Sequence, residues 1–220
     1  MATRTLMVFK RFERVWHWSQ VMLIVTLLFS GFAVRGIHHL MNFGTAVVVH
    51  TTAALILLVI WLFATFWLFT TGEYKHYLPT MEGMIAVVRY YTIGIFRGEK
   101  HPYRKMFWRK HNPLQAMAYL ILKIILFPAI WISGLAYLGY HFWYHGTVAF
   151  SPIGWISNIH VAAAYAILAF VMIHVYLLTT GHSFAAHVRP MITGYDDVEL
   201  TDAEEAYLAE IGTVTKKNKG

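Results

Sequence analysis

The chain has 220 residues, 58% of them apolar and 13% charged, with a formal net charge of +7. That charged share is about half of what an ordinary soluble domain carries, which excludes a normal water-exposed surface. Cysteine is absent, which excludes disulfides, thiolate zinc sites, iron–sulfur clusters and c-type haem attached through C-x-x-C-H.

The charges are also segregated. No Asp, Glu, Lys or Arg occurs from Val15 to Val34, from Gly36 to Gly72, or from Ile124 to Val188. In water such stretches would make one continuous apolar surface, so lipid is the expected solvent. In chain order, four runs are long enough to cross about 30 Å of hydrocarbon: Trp16–Val34, Ala46–Thr70, Leu114–Leu138 and Ile153–Thr180. The first follows Arg14 directly and lacks a small-residue cleavage site, so it is expected to be retained as a span. Between spans two and three, Thr80–Phe96 reads as an amphipathic helix, either lying in the interface or packed on a partner. Pro128 is expected to kink span three. Trp and Tyr near the span ends (Trp16, Trp18, Tyr137, Tyr140, Trp143, Tyr144, Trp155, Tyr176) form an aromatic belt. Beyond span four the acids gather, from Asp196 to Glu210, and Thr201 with Glu204 has the spacing of a capping box for a short helix. No internal repeat is evident.

The expected fold is an all-α membrane protein, a four-transmembrane-helix bundle spanning residues 1–181, with a cytoplasmic C-terminal tail over 182–220. Lys and Arg set its orientation. The N-terminal segment carries Arg4, Lys10, Arg11 and Arg14. The long loop carries Lys75, Arg89, Arg97, Lys100, Arg104, Lys105, Arg109 and Lys110, and the tail carries Arg189, Lys216, Lys217 and Lys219. The two short loops on the other side hold only Arg35. Both termini and the long loop are therefore expected in the cytoplasm. The positive charge is spread along segments that flank a membrane, so no nucleic-acid partner is expected.

Of thirteen histidines, four fall inside the spans: His17, His50, His160 and His174. One ionisable residue in a span is costly and points to function, although a single His can also be an interhelical hydrogen-bonding residue. The set says more. His160 and His174 are fourteen positions apart, so at about 100° per residue they leave one helix face, separated by roughly 21 Å along the axis. Span one leaves the cytoplasm and spans two and four return to it. His50 and His160 therefore fall at the outer level, and His17 and His174 at the inner one. Two imidazoles at each level suit two haems b with closed, six-coordinate irons whose task is electron transfer. Zinc or copper remains possible for two His on an apolar scaffold, but a zinc site usually recruits further ligands, and no Cys or acid lies at either level. Thr51, Thr52, Ala53 and Ala54 after His50, and Ala162, Ala163 and Ala164 after His160, leave room for a flat macrocycle or for plain helix packing.

This pattern resembles the di-haem cytochrome b subunits of respiratory complexes. Members include the gamma subunit of formate dehydrogenase and the cytochrome b subunits of membrane nickel–iron hydrogenase and thiosulfate reductase. The likeness runs from about Phe9 to Gly181 and rests on one His opening each of spans one and two and on His160-x13-His174 in span four. It implies an electron-transfer and quinone-reactive subunit of an oxidoreductase complex in the bacterial inner membrane. The partners it implies are an iron–sulfur or multihaem cytochrome subunit and a catalytic subunit on the outer side. The exchangeable carrier is a quinone, menaquinone or ubiquinone, near the cytoplasmic haem. The segment from Lys110 through His111, Asn112 and Pro113 to Gln115 is similar to the family's quinone-site segment, with Asn112 as its best polar match; as a plain alternative, Asn112 is a helix N-cap. Pro113-Leu114 departs from the small-residue pair of the formate dehydrogenase type. Two other functions compete. One is a stand-alone di-haem cytochrome of the same fold, such as a superoxide:quinone oxidoreductase. The other is a haem-free channel or transporter with a histidine proton relay.

Overall fold

The computed structural model describes residues 2–99, 102–103, 111–145, 152–179, 183–210 and 216–217. Of the residues named above, Lys100, Arg104, Lys105, Arg109, Lys110, Thr180, Gly181 and Lys219 lie outside them.

Among the described residues, four helical segments are long and apolar enough to cross a membrane: Arg11–Val34, Phe43–Thr71, Pro113–Leu138 and Ile153–Leu178. The first two are α1 (Arg11–Val34) and α2 (Phe43–Thr71). After a 3-10 turn over Glu73–Tyr77 comes the short α3 (Met84–Thr92), within the stretch expected to be amphipathic. The third span is α4 (Pro113–Ile121) and α5 (Phe127–Leu138), joined by a π-helical stretch over Leu122–Leu126. The short α6 (Tyr140–Trp143) precedes α7 (Ile153–Leu178), the fourth span.

Caps explain where the observed spans start earlier than hydropathy alone suggests. In α1 the Glu13 carboxylate accepts the Lys10 N–H at 2.9 Å, satisfying a donor that the first turn leaves free. In α2 the Asn42 side chain accepts the Thr45 N–H at 2.9 Å. At its other end α1 stops in a Schellman motif. Gly36 takes φ 75°, and the Ile37 N–H reaches back to the Phe32 carbonyl at 2.9 Å. The π stretch sits just ahead of Pro128. Proline has no N–H, and its ring crowds the carbonyl four residues back, so a wider turn there relieves the clash without ending the span.

The chain divides into two compact units. One comprises Met1–Trp18, Thr65–Tyr119 and Thr180–Gly220; the other comprises Ser19–Ala64 and Leu120–Thr179. The second unit holds most of the spans' length. Phe63, Ile132 and Met172 stand on its surface, each more than 60% exposed, a face suited to lipid and not to water.

The first unit contains a three-stranded sheet, which the all-helical expectation did not include. The strands are β1 (Ala2–Met7), β2 (Tyr195–Leu200) and β3 (Lys216–Lys217), in the order β2-β1-β3 and antiparallel. In register, Ala2 faces Leu200 and Met7 faces Tyr195. Two further helices belong to this region, α8 (Phe184–Thr193) and α9 (Asp202–Glu210). Thr201 and Glu204 close the capping box of α9 through bonds of 2.7 and 3.3 Å. Leu6, Val198, Leu200 and Leu208 form a small core with Val8 against it. Arg4 pairs with Glu205 across the same patch.

Elsewhere in this unit a buried polar group ties α1 to the 3-10 turn. The Tyr77 hydroxyl donates to the Glu13 carboxylate at 2.7 Å, and Lys10 pairs with the buried Glu73 at 2.6 Å. Burial, with the Glu13 carboxylate adding to it, pushes the Tyr77 phenol above its usual range, so the phenol stays protonated as a donor.

Candidate haem site

All four intramembrane histidines are half-buried. His17 lies on α1 in the first unit, with its ring edge-on to Trp18 at 5.5 Å. His174 lies on α7 in the second unit, stacked parallel on Phe170 one turn earlier at 6.0 Å.

His50 on α2 and His160 on α7 both belong to the second unit, and there they meet. Their ring centroids are 6.2 Å apart and their planes are inclined at 68°. Nitrogen–metal bonds to imidazole are roughly 2 Å, and the ring centre lies about an ångström behind the nitrogen. Two imidazoles binding one metal from opposite sides therefore have centroids about 6 Å apart, and the observed separation fits that arrangement.

The Nδ1 atoms are held from behind. Nδ1 of His50 lies 3.1 Å from the Ser30 hydroxyl, and Nδ1 of His160 lies 3.1 Å from the Ser133 hydroxyl and 3.1 Å from the Ile130 carbonyl. With Nδ1 engaged, Nε2 is the nitrogen that each ring would offer to a metal. Among the described residues no three His, Cys, Asp or Glu side chains converge to hold a metal ion. A pair of imidazoles is an incomplete set for zinc, but it is the axial set that a planar tetrapyrrole needs.

The family profile of prokaryotic cytochrome b561 matches residues 8–194. The chain belongs to the prokaryotic cytochrome b561 family. A relative from Escherichia coli (strain K12), named "Putative cytochrome YdhU", is 32% identical over 194 residues, which is 83% of this chain and 71% of that one. No solved structure gives a significant match. The protein is thus a multi-pass membrane cytochrome of the b type, an electron-transfer protein that binds haem b, as its sequence resemblance implied.

The other expected site residue, Asn112, is buried at the entrance of α4. Its Oδ1 accepts the Gln115 N–H at 2.8 Å, the Gln115 side chain accepts the Asn112 N–H at 3.2 Å, and Nδ2 donates to the Tyr91 hydroxyl at 3.3 Å. Both ends of the carboxamide are thus engaged, and in this cytochrome Asn112 caps α4. The His111 ring lies between the rings of Tyr77 and Tyr119, at 5.1 and 4.7 Å. In the loop after α1, Nε2 of His38 meets the Phe29 carbonyl at 2.9 Å and its ring stacks on Phe29.

Sequence reasoning missed Ser30 and Ser133, with the glycines that follow them. A signal was present: Ser30-Gly31 and Ser133-Gly134 are the two Ser-Gly dipeptides of the chain. One lies near the end of span one and the other in the second half of span three.

Proposed function

We propose that this cytochrome is the membrane-anchoring electron-transfer subunit of a respiratory oxidoreductase complex, and that it holds two bis-histidine haems b. His50 and His160 ligate the outer haem, and His17 and His174 the inner one. The observation that carries the reading is the His50–His160 pair, whose 6.2 Å separation and rear-anchored Nδ1 atoms suit one iron between them. His174 leaves α7 on the same face as His160, roughly 21 Å further along the axis, which suits a second cofactor at another depth.

Haem held by two imidazoles supplies reversible one-electron chemistry with no open position for oxygen or substrate. The residues of the chain hold the ligands at fixed depths and exclude water along the apolar spans. The bias of Lys and Arg orients both termini and the long loop to the cytoplasmic side of the bacterial inner membrane. Electrons pass between an outer partner, an iron–sulfur or multihaem subunit attached to a catalytic subunit, and menaquinone or ubiquinone near the inner haem. A quinone oxygen beside α4 takes the Nδ2–H of Asn112 that Tyr91 now accepts.

Purification of the full chain from its native membrane in mild detergent tests the subunit assignment. A redox subunit with its own cofactor is expected to emerge with the cytochrome in fixed ratio. A cytochrome that always emerges alone, fully loaded with haem, would contradict the assignment and favour a stand-alone oxidoreductase.

A further inference from the structure

The second unit contains the same local device twice, once behind each outer histidine. We propose that Ser30 and Ser133 are paired positioning residues for the two axial ligands of the outer haem, with Gly31 and Gly134 giving each imidazole the room to sit at its angle. The proposal rests on the reading of His50 and His160 as haem ligands.

The hydroxyls settle the proton positions. A serine has one O–H proton. Ser30 lies within reach of the Thr26 carbonyl at 2.7 Å, and Ser133 within reach of the Ala129 carbonyl at 2.6 Å, each one turn back on its own helix. A carbonyl only accepts, so the serine proton goes there, and the oxygen lone pairs face the imidazole. Nδ1 of each histidine is then the donor. For His160 a second acceptor demands the same answer, because the Ile130 carbonyl lies 3.1 Å from Nδ1. Both rings are thus held as the Nδ1–H tautomer, with the Nε2 lone pair free for a metal. Ser30 is 0% exposed and Ser133 5% exposed, so no bulk water competes for these bonds.

The glycines fix where the rings can lie. A Cβ at Gly31 would stand 3.2 Å from Cε1 of His50, and a Cβ at Gly134 would stand 3.1 Å from Cε1 of His160. Both are tighter than ordinary contact, so any side chain there turns or displaces the ring. The serine hydroxyl at Nδ1 and the bare backbone beside Cε1 and Nδ1 together hold that edge of each imidazole in place, and the two ring planes are inclined at 68°. The repeat is chemical as well as geometric. Thr26 to Gly31 in α1 and Ala129 to Gly134 in α5 have the same order: a carbonyl acceptor, an apolar filler, then Ser-Gly.

An Nδ1–H that donates strengthens the ligand at Nε2 and favours the ferric state. Ser30→Ala and Ser133→Ala, in the full chain purified in detergent, should each raise the midpoint potential of the outer haem and leave the inner haem unchanged. Each should also weaken retention of the outer haem by about 10–100-fold, the usual cost of losing such a partner. Near-perpendicular ligand planes give a strongly anisotropic low-spin electron paramagnetic resonance signal, which Gly134→Ala should shift by turning the His160 ring. Ser30→Thr, which keeps the hydroxyl, should retain the wild-type potential. If the wild type carries its haems and both alanine variants show unaltered outer potential, haem retention and resonance signal, the positioning role is wrong while the haem assignment stands. If the wild type binds no haem, the parent reading itself fails.

Discussion

An imidazole inside a membrane has few ways to lower its own cost, and His50 and His160 show two of them together. Each finds a hydrogen-bond partner at Nδ1, and the two rings lie close enough, at 6.2 Å between centroids, for a metal between them to complete the coordination of the other nitrogens. Removing a ligand should therefore empty one level and spare the other. His160→Ala is expected to lose the outer haem and His174→Ala the inner one, as read from haem content and separate redox titration of the remaining centre. Full haem content in both variants would contradict the ligand assignment. Asn112→Ala combines two effects. Loss of the cap should cost about 1 kcal/mol of stability, and quinone-linked turnover should slow while both haems stay reducible from the outer partner. Unchanged quinone kinetics would remove Asn112 from that site. The four span histidines stood out in the sequence because an ionisable group in a span is rare. Ser30 and Ser133 were not, because small residues are common in membrane helices and serve packing at least as often. Only the position of the rings reveals what the two Ser-Gly pairs touch.

At the scale of elements, the start of α1 depends on a short polar chain in place of apolar packing. The Glu13 carboxylate caps its own helix and accepts the Tyr77 hydroxyl, and it is only 2% exposed. Tyr77→Phe leaves one carboxylate oxygen without that donor, at an expected cost of about 1–3 kcal/mol, measurable as a lower midpoint of thermal unfolding in detergent. The pH dependence has a definite sign. Burial, with Glu13 adding to it, raises the folded phenol above the unfolded value of about 10. The neutral phenol's contribution is therefore complete below about pH 10 and is lost as pH climbs from there toward the folded value. The wild type should lose stability more steeply than Tyr77→Phe across that window, and equal slopes would show that the phenol is not held neutral by its surroundings. The four spans were readable from hydropathy because about 30 Å of hydrocarbon demands long uncharged runs. Their first turns were less readable, since caps at Lys10, Asn42 and Asn112 carry helices beyond the apolar stretch. Pro128 announced a disturbance in span three, but not that it takes the form of a π stretch over Leu122–Leu126.

Across the whole molecule, the segments at the two ends of the sequence make one small structure. β1 and β2 pair in full register, and Leu6, Val198, Leu200 and Leu208 close over one another. Neither strand was visible in the sequence. β2 carries Asp196, Asp197 and Glu199 within six residues, so it reads as a solvated tail. Its partner lies nearly the whole chain away, where no local pattern can announce it. Leu200 is 0% exposed, and Leu200→Ala should destabilise this sheet by about 2–5 kcal/mol. Faster proteolytic cleavage within residues 195–210, with no change in haem content, is the expected result, and an unaltered cleavage rate would argue against the packed core. By contrast the membrane part was legible at this scale, because segregated charge and four histidines in apolar spans are strong signals taken together.

The most direct test of the central claim is a count. Pyridine haemochrome analysis of the purified full chain, set against its protein content, should give two haems b per chain, with a reduced-minus-oxidised spectrum of the b type. A protein free of haem, or one whose content never exceeds a single haem per chain, would contradict the di-haem account.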